Sequence, residues 1–267
     1  MVENVKPGVS ARDARVVLFD FDGTLSLIRS GWMNVMVPMM VEILLDLKSG
    51  EPEEQIRAMV EGFVWRLTGK ETIYQMIAFA EAVEARGGKA LDPLAYKKMY
   101  LDLLWQKIEK RVEGLRKGQT DPEEFLVPGS RALLERLGEK GLKMYLASGT
   151  DEIYMKEEAR LLGVTQYFDG GVYGALDDYS FSKAILIQRI LSTSEFQGHE
   201  FLGFGDGYVE IEEVKNVGGV AVGVASEEPA CSRVDEWKRQ RLIGVGADYI
   251  VPNYLCGEEL FSSLFPA

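Results

Sequence analysis

Short apolar runs that end in acidic residues or glycine recur along the chain. The first is Val16–Phe19, which is followed at once by Asp20. Four similar runs come after residue 140, at 142–147, 201–204, 220–224 and 249–251. Stretches with helical spacing of apolar residues separate most of them, at 130–140, 151–162, 181–191 and 209–216. Runs of this kind are typical of buried parallel strands, and their alternation with helices predicts an α/β fold with a Rossmann-like parallel sheet flanked by helices.

The stretch 27–126 has a different pattern, with apolar residues at a period near 3.6 and no β-rich run. Breaks at 50–52, 87–88 and 92–93 divide it into about four predicted helices, and Pro38 is expected to kink or divide the first. The sequence therefore predicts an α/β body formed by 1–26 and 127–267, with an inserted α-helical domain at 27–126.

Composition narrows the class of protein. A hydrophobic fraction of 46% and a charged fraction of 27% are ordinary globular values and exclude a disordered or fibrous chain. The formal net charge of −12, without a basic stripe, argues against nucleic acid and anionic membranes as partners. No apolar run is long enough to span a membrane and no signal core is visible, so we expect a soluble, cytoplasmic protein.

Cysteine and histidine are scarce. Cys231 and Cys256 are too few for a disulfide framework or a thiolate zinc site, and we expect them to be buried thiols. The single histidine, His199, excludes metal sites built from several histidines.

Acidic and hydroxyl residues fall where the predicted strands end. Asp20 and Asp22 follow the first strand, Ser148 and Gly149 the second, and Asp206 follows the strand FLGFG. The carboxyl ends of parallel strands meet at one edge of a sheet, where ligands bind. Carboxylates gathered there would repel one another and require a cation, and hard oxygen ligands suit Mg²⁺.

Four motifs resemble the signatures of a known family, in the family's order. The segment DFDGTL at 20–25 resembles the first signature of the haloacid dehalogenase-like superfamily, whose phosphohydrolases use an aspartate nucleophile. Ser148, Lys183 and the acidic pair Asp206 and Glu210 resemble the second, third and fourth. The second acid of the fourth signature is usually aspartate, so Glu210 departs from the pattern, and Glu212 and Glu213 are weaker candidates. The insert at 27–126 resembles the family's first class of helical cap.

The resemblance implies a role for each matched residue. Asp20 would be the nucleophile, and Asp22 the general acid and base. Mg²⁺ would be held by Asp20, Asp22 and Asp206, with Glu210 as a further ligand. The phosphoryl oxygens would be bound by the Ser148 hydroxyl, the Gly149 N–H group and the Lys183 ammonium group. An acid at position 22 favours phosphate esters over halides as substrates, because a halide leaves without a proton.

We therefore expect a Mg²⁺-dependent phosphatase that acts on a small phosphorylated metabolite, such as a sugar phosphate. A phosphomutase of the same superfamily and a catalytically silent sensor of a phosphorylated ligand are the alternatives. Recognition of the substrate would need local cations or aromatic groups of the insert, and the candidates there are Arg29, Trp32, Arg57, Arg66 and Lys70. Lys70, in the polar segment LTGKET, is the predicted substrate-binding residue, although it could simply begin a solvated helix. The sequence leaves the oligomeric state open.

The charged segment after Ala225 includes Trp237 and three arginines at 233, 239 and 241. A segment of this kind is more often one amphipathic helix packed on the sheet, and we expect that here. A partner surface and an extension that reaches the cleft are the alternatives.

Overall fold

The computed structural model describes residues 2–176 and 182–266. The chain divides into two compact units, one formed by Met1–Ser30 with Arg111–Ala267 and the other by Gly31–Lys110. The second unit lies wholly within the predicted insert at 27–126. None of the described helices is long and apolar enough to cross a membrane.

The first unit is built on a seven-stranded sheet with the order β1-β7-β6-β5-β2-β3-β4. Its strands are β1 (Glu3–Asn4), β2 (Val16–Phe19), β3 (Lys143–Asp151), β4 (Gly171–Ala175), β5 (Phe201–Gly205), β6 (Val220–Val224) and β7 (Tyr249–Val251). All neighbouring pairs are parallel except β1 with β7. The prediction of an α/β fold is confirmed, and the antiparallel edge strand makes the sheet mixed.

The central strands form because both of their faces are covered. Every residue of β2, β5 and β6 is buried, as expected for continuous apolar runs inside a parallel sheet. The rings of Phe19 and Phe204 stack across β2 and β5 with their centroids 4.5 Å apart. This stacked pair joins the two strands that carry the first and fourth motifs at their ends.

Along the chain, helices alternate with the strands and pack against the sheet. Those of the first unit are α5 (Ser130–Glu139), α6 (Glu152–Leu161), α7 (Lys183–Thr193), α8 (Tyr208–Asn216), α9 (Glu236–Gly244) and α10 (Gly257–Leu264). α6 contacts β3 and β4, α8 contacts β5 and β6, and α9 contacts β6 and β7. The segment after Ala225 thus does form a helix on the sheet. The predicted helix at 181–191 begins at Lys183, and Phe181 lies outside the described residues.

The second unit is helical. It contains α1 (Met33–Asp46), α2 (Glu53–Arg66), α3 (Thr72–Glu84) and most of α4 (Pro93–Arg116). α1 packs on α2, α2 packs on α3, and the rings of Phe79 and Tyr96 join α3 to α4 at 4.7 Å. Pro38 lies inside α1 without dividing it, so of the two expected effects division does not occur.

Two strands were not predicted from the sequence. β1 has only two residues, and β4 contains two glycines, which weaken a strand pattern. Both lie at the edges of the sheet. β3 is also longer than predicted, because it continues through Ser148 and Gly149 to Asp151.

Candidate active site

The order of the strands brings the first, second and fourth motifs to one edge of the sheet. Phe19 at the end of β2 pairs with Phe204 on one side and Leu146 on the other. Asp20 follows Phe19 directly. It therefore lies close to the residues that follow Leu146 and Phe204 on the adjacent parallel strands. β2 is also where the chain turns from one half of the sheet to the other, which is the usual ligand-binding position in such folds.

Asp20 is held by a lysine and a hydroxyl group. Lys183 Nζ lies 2.7 Å from Asp20 Oδ1, and Thr24 Oγ1 donates to Asp20 Oδ2 at 3.2 Å. Burial raises the pKa of Asp20, while the positive charge of Lys183 opposes this effect. The carboxylate is thus fixed in position in a poorly solvated place.

Thr24 also connects the first motif to two other parts of the chain. Its Oγ1 accepts a hydrogen bond from the backbone N–H of Asp206 at 2.9 Å. Its backbone carbonyl accepts one from the hydroxyl group of Tyr254 at 3.0 Å. Neither Thr24 nor Tyr254 was predicted from the sequence as a site residue. The position of Thr24 inside DFDGTL was an available signal, whereas nothing in the sequence marked Tyr254.

Asp22 accepts hydrogen bonds from two hydroxyl groups at the end of β3. Ser148 Oγ lies 3.1 Å and Thr150 Oγ1 2.9 Å from Asp22 Oδ2, and the Ser148 hydroxyl also accepts from the Thr150 N–H. Burial raises the pKa of Asp22 to about 6, against the lowering effect of the nearby charge of Arg29. A carboxyl group with such a pKa can both give and take a proton near neutral pH. Gly149 lies between these two hydroxyl residues in β3.

Arg29 belongs to the first unit and forms a buried ion pair. Its Nη2 lies 2.7 Å from Glu158 Oε1, and its Nε lies 3.1 Å from both carboxylate oxygens of Glu158. The same Nε lies 3.9 Å from Asp22 Oδ1. Arg29 was among the cations predicted to bind substrate, but no signal in the sequence could pair it with a glutamate 129 residues away.

Lys183 contacts a second carboxylate, that of Glu210 in α8. Glu210 is only 2% exposed, and its Oε2 has no hydrogen-bond partner among the described residues. A side chain at Gly205 would place its Cβ 2.7 Å from the Cβ of Glu210, so the glycine of the strand FLGFG makes room for this acid. The geometry places Glu210 against Lys183, and its role as a metal ligand stays a prediction. Glu212, on the same helix, is exposed.

Asp206 forms an ion pair with a lysine from α9. Lys238 Nζ lies 2.9 Å from Asp206 Oδ2 and 2.7 Å from Glu228 Oε1. Neither Lys238 nor Glu228 was predicted from the sequence as a site residue. The sequence did contain one signal for Lys238. Asp235 caps α9, so Lys238 lies in the first turn of this helix. The helix dipole is unfavourable for a lysine there, which indicates that nearby acids stabilise it.

The remaining predicted residues lie elsewhere. Lys70 is in the helical unit, with its Nζ 5.8 Å from the centroid of the Tyr74 ring. Cys231 is buried and Cys256 half-buried, and both are free thiols. His199 lies in a short 3-10 helix, Gly198–Glu200.

Comparison with known proteins agrees with this arrangement. Residues 14–218 match the family model described as a haloacid dehalogenase-like hydrolase. The chain belongs to this family. The matched range includes all four motifs at the sheet edge, so the predictions of the superfamily and of a hydrolase enzyme are confirmed. No curated protein matches the chain significantly.

Solved structures of haloacid dehalogenase-like proteins share the fold. A phosphonoacetaldehyde hydrolase-like protein from Oleispira antarctica is 17% identical with a TM-score of 0.61, covering 97% of this chain and 96% of its own. A predicted phosphoglycolate phosphatase from Haemophilus somnus is 15% identical with a TM-score of 0.58, covering 93% and 98%. The HAD-hydrolase YfnB from Bacillus subtilis, bound to magnesium, is 16% identical with a TM-score of 0.54, covering 94% and 98%. Identities this low establish a common fold.

The family implies a magnesium ion, and the donors at the sheet edge suit a hard cation. In the described part of the chain no three His, Cys, Asp or Glu side chains are grouped to hold a metal ion. Of the predicted ligands, Asp20 and Asp206 would contribute carboxylates and Asp22 its backbone carbonyl, with Glu210 as a further candidate. Burial raises the pKa of Asp206 to about 6, and although Lys238 lowers it, the negative charge of Asp20 raises it further. The two carboxylates thus repel each other, and their oxygens are the ligands that Mg²⁺ prefers.

Proposed function

We propose that the protein is a Mg²⁺-dependent phosphatase that hydrolyses a small phosphomonoester, such as a sugar phosphate, through an aspartyl-phosphate on Asp20. The observation that supports this most directly is the state of the two aspartates of the first motif. Lys183 Nζ holds Asp20 at 2.7 Å, while two hydroxyl groups hold Asp22. A fixed carboxylate beside a second carboxyl group that can exchange a proton is what nucleophilic phosphoryl transfer requires.

In the first half-reaction, a carboxylate oxygen of Asp20 attacks phosphorus and the bond from phosphorus to the ester oxygen breaks. Asp22 gives its proton to the departing ester oxygen, which leaves as an alcohol. The hydrogen bonds from Ser148 and Thr150 keep the carboxyl group of Asp22 in one orientation during this transfer. Its raised pKa keeps a useful fraction protonated before the step.

In the second half-reaction, water attacks the phosphorus of the aspartyl-phosphate and gives a proton to Asp22. The bond between phosphorus and the Asp20 oxygen breaks, so that inorganic phosphate leaves and both aspartates return to their starting state. Lys183, with the Ser148 hydroxyl and the Gly149 N–H, would stabilise the negative charge on the phosphoryl oxygens in both steps.

Asp20, Asp206 and the backbone carbonyl of Asp22 would hold the magnesium ion, with Glu210 as a further candidate ligand. When bound, the ion would neutralise charge on the phosphoryl group. We also propose that the helical insert is the cap domain of the family and that Lys70 binds the substrate. The substrate would be a soluble cytoplasmic metabolite.

The test is phosphate release from a panel of phosphorylated metabolites, measured with Mg²⁺ and then with EDTA. We expect metal-dependent release by the wild type, and its loss in Asp20→Asn and in Asp22→Asn. Asp13→Asn is the matched control, because it removes the same charge from an exposed site on the same segment. The circular dichroism spectrum and the cooperativity of thermal unfolding should be unchanged in all three variants.

The outcomes separate the alternatives. Activity retained in Asp20→Asn would refute the nucleophile. Phosphate trapped on Asp20 without release from any compound would point to a phosphomutase, and binding of phosphorylated compounds without either reaction would point to a sensor.

A further inference from the structure

Lys238 reaches the sheet edge because of how α9 begins. The side chain of Asp235 accepts hydrogen bonds from the backbone N–H groups of Trp237 at 2.9 Å and Lys238 at 3.0 Å, which fixes the first turn of the helix. Lys238 is the third residue of α9, and its side chain is 11% exposed. A lysine there is opposed by the helix dipole, so its position depends on neighbouring carboxylates.

Two carboxylates surround this ammonium group. Nζ lies 2.9 Å from Asp206 Oδ2 and 2.7 Å from Glu228 Oε1, and the side chains of these acids are 14% and 18% exposed. Gly23 makes room for both acids: a Cβ there would lie 2.2 Å from Asp206 Oδ2 and 3.1 Å from Glu228 Oε1. The ion pair therefore packs directly against the glycine of the first motif.

The charges of this cluster bear on the binding of a metal ion. An ammonium group in contact with Asp206 would by itself repel a divalent cation that uses the same carboxylate. Glu228 adds one negative charge in contact with the same Nζ and so offsets the charge of Lys238. Lys238 can then orient the Asp206 carboxylate without weakening the attraction of the site for the metal ion.

We propose that Glu228 is a positioning residue of the metal centre: it holds Lys238 beside Asp206 and offsets the charge of the lysine, so that Asp206 keeps its affinity for a divalent cation. The proposal rests on the proposed function in that Asp206 is taken to bind Mg²⁺. It adds to the site a loop residue and a helix residue that lie outside the family's four motifs and outside the matched range 14–218.

The test is the affinity of the full-length chain for Mg²⁺ alone, measured by isothermal titration calorimetry without substrate. Glu228→Gln keeps the size of the side chain and removes its charge, and we expect the dissociation constant to rise roughly tenfold or more. Glu227→Gln is the matched control, since Glu227 pairs with the exposed Arg233, and its dissociation constant should stay within about twofold of the wild type.

The double variant Glu228→Gln/Lys238→Met removes the charge that Glu228 offsets. We expect its affinity for Mg²⁺ to return to the wild-type value or to exceed it, a recovery that a purely structural role of Glu228 would not produce. An unchanged dissociation constant in Glu228→Gln would overturn the proposal. If Glu228→Gln does not unfold cooperatively, the double variant decides, and a dissociation constant raised tenfold there would equally overturn it. Absence of Mg²⁺ binding by the wild type would instead refute the metal dependence in the proposed function.

Discussion

Lys183 Nζ lies 2.7 Å from Asp20 Oδ1, and the same ammonium group contacts the carboxylate of Glu210. All three side chains are nearly inaccessible to solvent. One buried cation therefore serves two buried acids, one of which is the proposed nucleophile. Lys183 is therefore expected to contribute both to the stability of the fold and to catalysis.

Replacing this lysine should affect activity and stability together. In Lys183→Met both acids lose their cation, and breaking a buried ion pair by removing one partner costs about 3–5 kcal/mol. We expect kcat to fall by about 10²–10³, as for the loss of one group that stabilises developing charge. Phosphate release and urea unfolding measure the two effects.

The double variant Lys183→Met/Glu210→Gln is the control for this prediction. It removes one of the stranded charges and should recover part of the lost stability without recovering activity. A Lys183→Met protein with wild-type kcat would contradict the assigned role.

Thr24 offers a test of the link between the first and fourth motifs. Thr24→Val keeps the shape of a residue that is 0% exposed but leaves the Asp206 N–H without its acceptor. We expect a loss of about 1–3 kcal/mol in the free energy of unfolding, together with lower kcat. Thr24→Ser keeps the hydroxyl group and should retain most of both. Equal losses in the two variants would show that the hydroxyl group is no more important than the methyl group.

A side chain at Gly23 should be unfavourable for two separable reasons. Its φ of +77° is unfavourable for other residues by roughly 1–2 kcal/mol, and a Cβ would also lie 2.2 Å from Asp206 Oδ2. Gly8→Ala is a matched control, because Gly8 has a φ of +89° and nothing within 4 Å of its Cβ position. We expect the two variants to lose similar stability in thermal unfolding, because the backbone cost is similar. Only Gly23→Ala should need a higher Mg²⁺ concentration for phosphate release. The same Mg²⁺ requirement in both variants would contradict displacement of Asp206.

The Arg29–Glu158 pair should contribute far more than a comparable pair on the surface. Arg29→Met leaves Glu158 buried without its partner, which we expect to cost about 3–5 kcal/mol in urea unfolding. Arg116→Met breaks two surface pairs, one with Glu113 and one with Glu157, the residue before Glu158 in α6. All three side chains are about one-third exposed, and each pair should contribute at most about 1 kcal/mol. Equal costs would mean that the burial of Glu158 is unimportant.

Features set by neighbouring residues in the sequence could be predicted, whereas features set by contacts between distant residues could not. Val16–Phe19 and the other central strands were predicted because a buried strand needs a continuous apolar run, which is a local property. β1 and β4 were missed because edge strands are defined by their neighbours in the sheet, and their own residues are few or rich in glycine. The continuity of α1 through Pro38 also depends on packing, since the isolated sequence favours a break.

The sequence by itself determined the family, the central strands and the acids that follow β2 and β5, because each motif is a short contiguous segment whose local structure sets its chemistry. The tertiary structure alone decided which cation meets which acid. Glu210 pairs with Lys183, Asp206 with Lys238 and Glu228, and Arg29 with Glu158. Those pairings join residues from different helices and loops, and they depend on the order of the strands and on the small space left by Gly23 and Gly205. A buried charge is costly unless it is paired, and which partner lies within reach depends on how the helices and loops pack on the sheet.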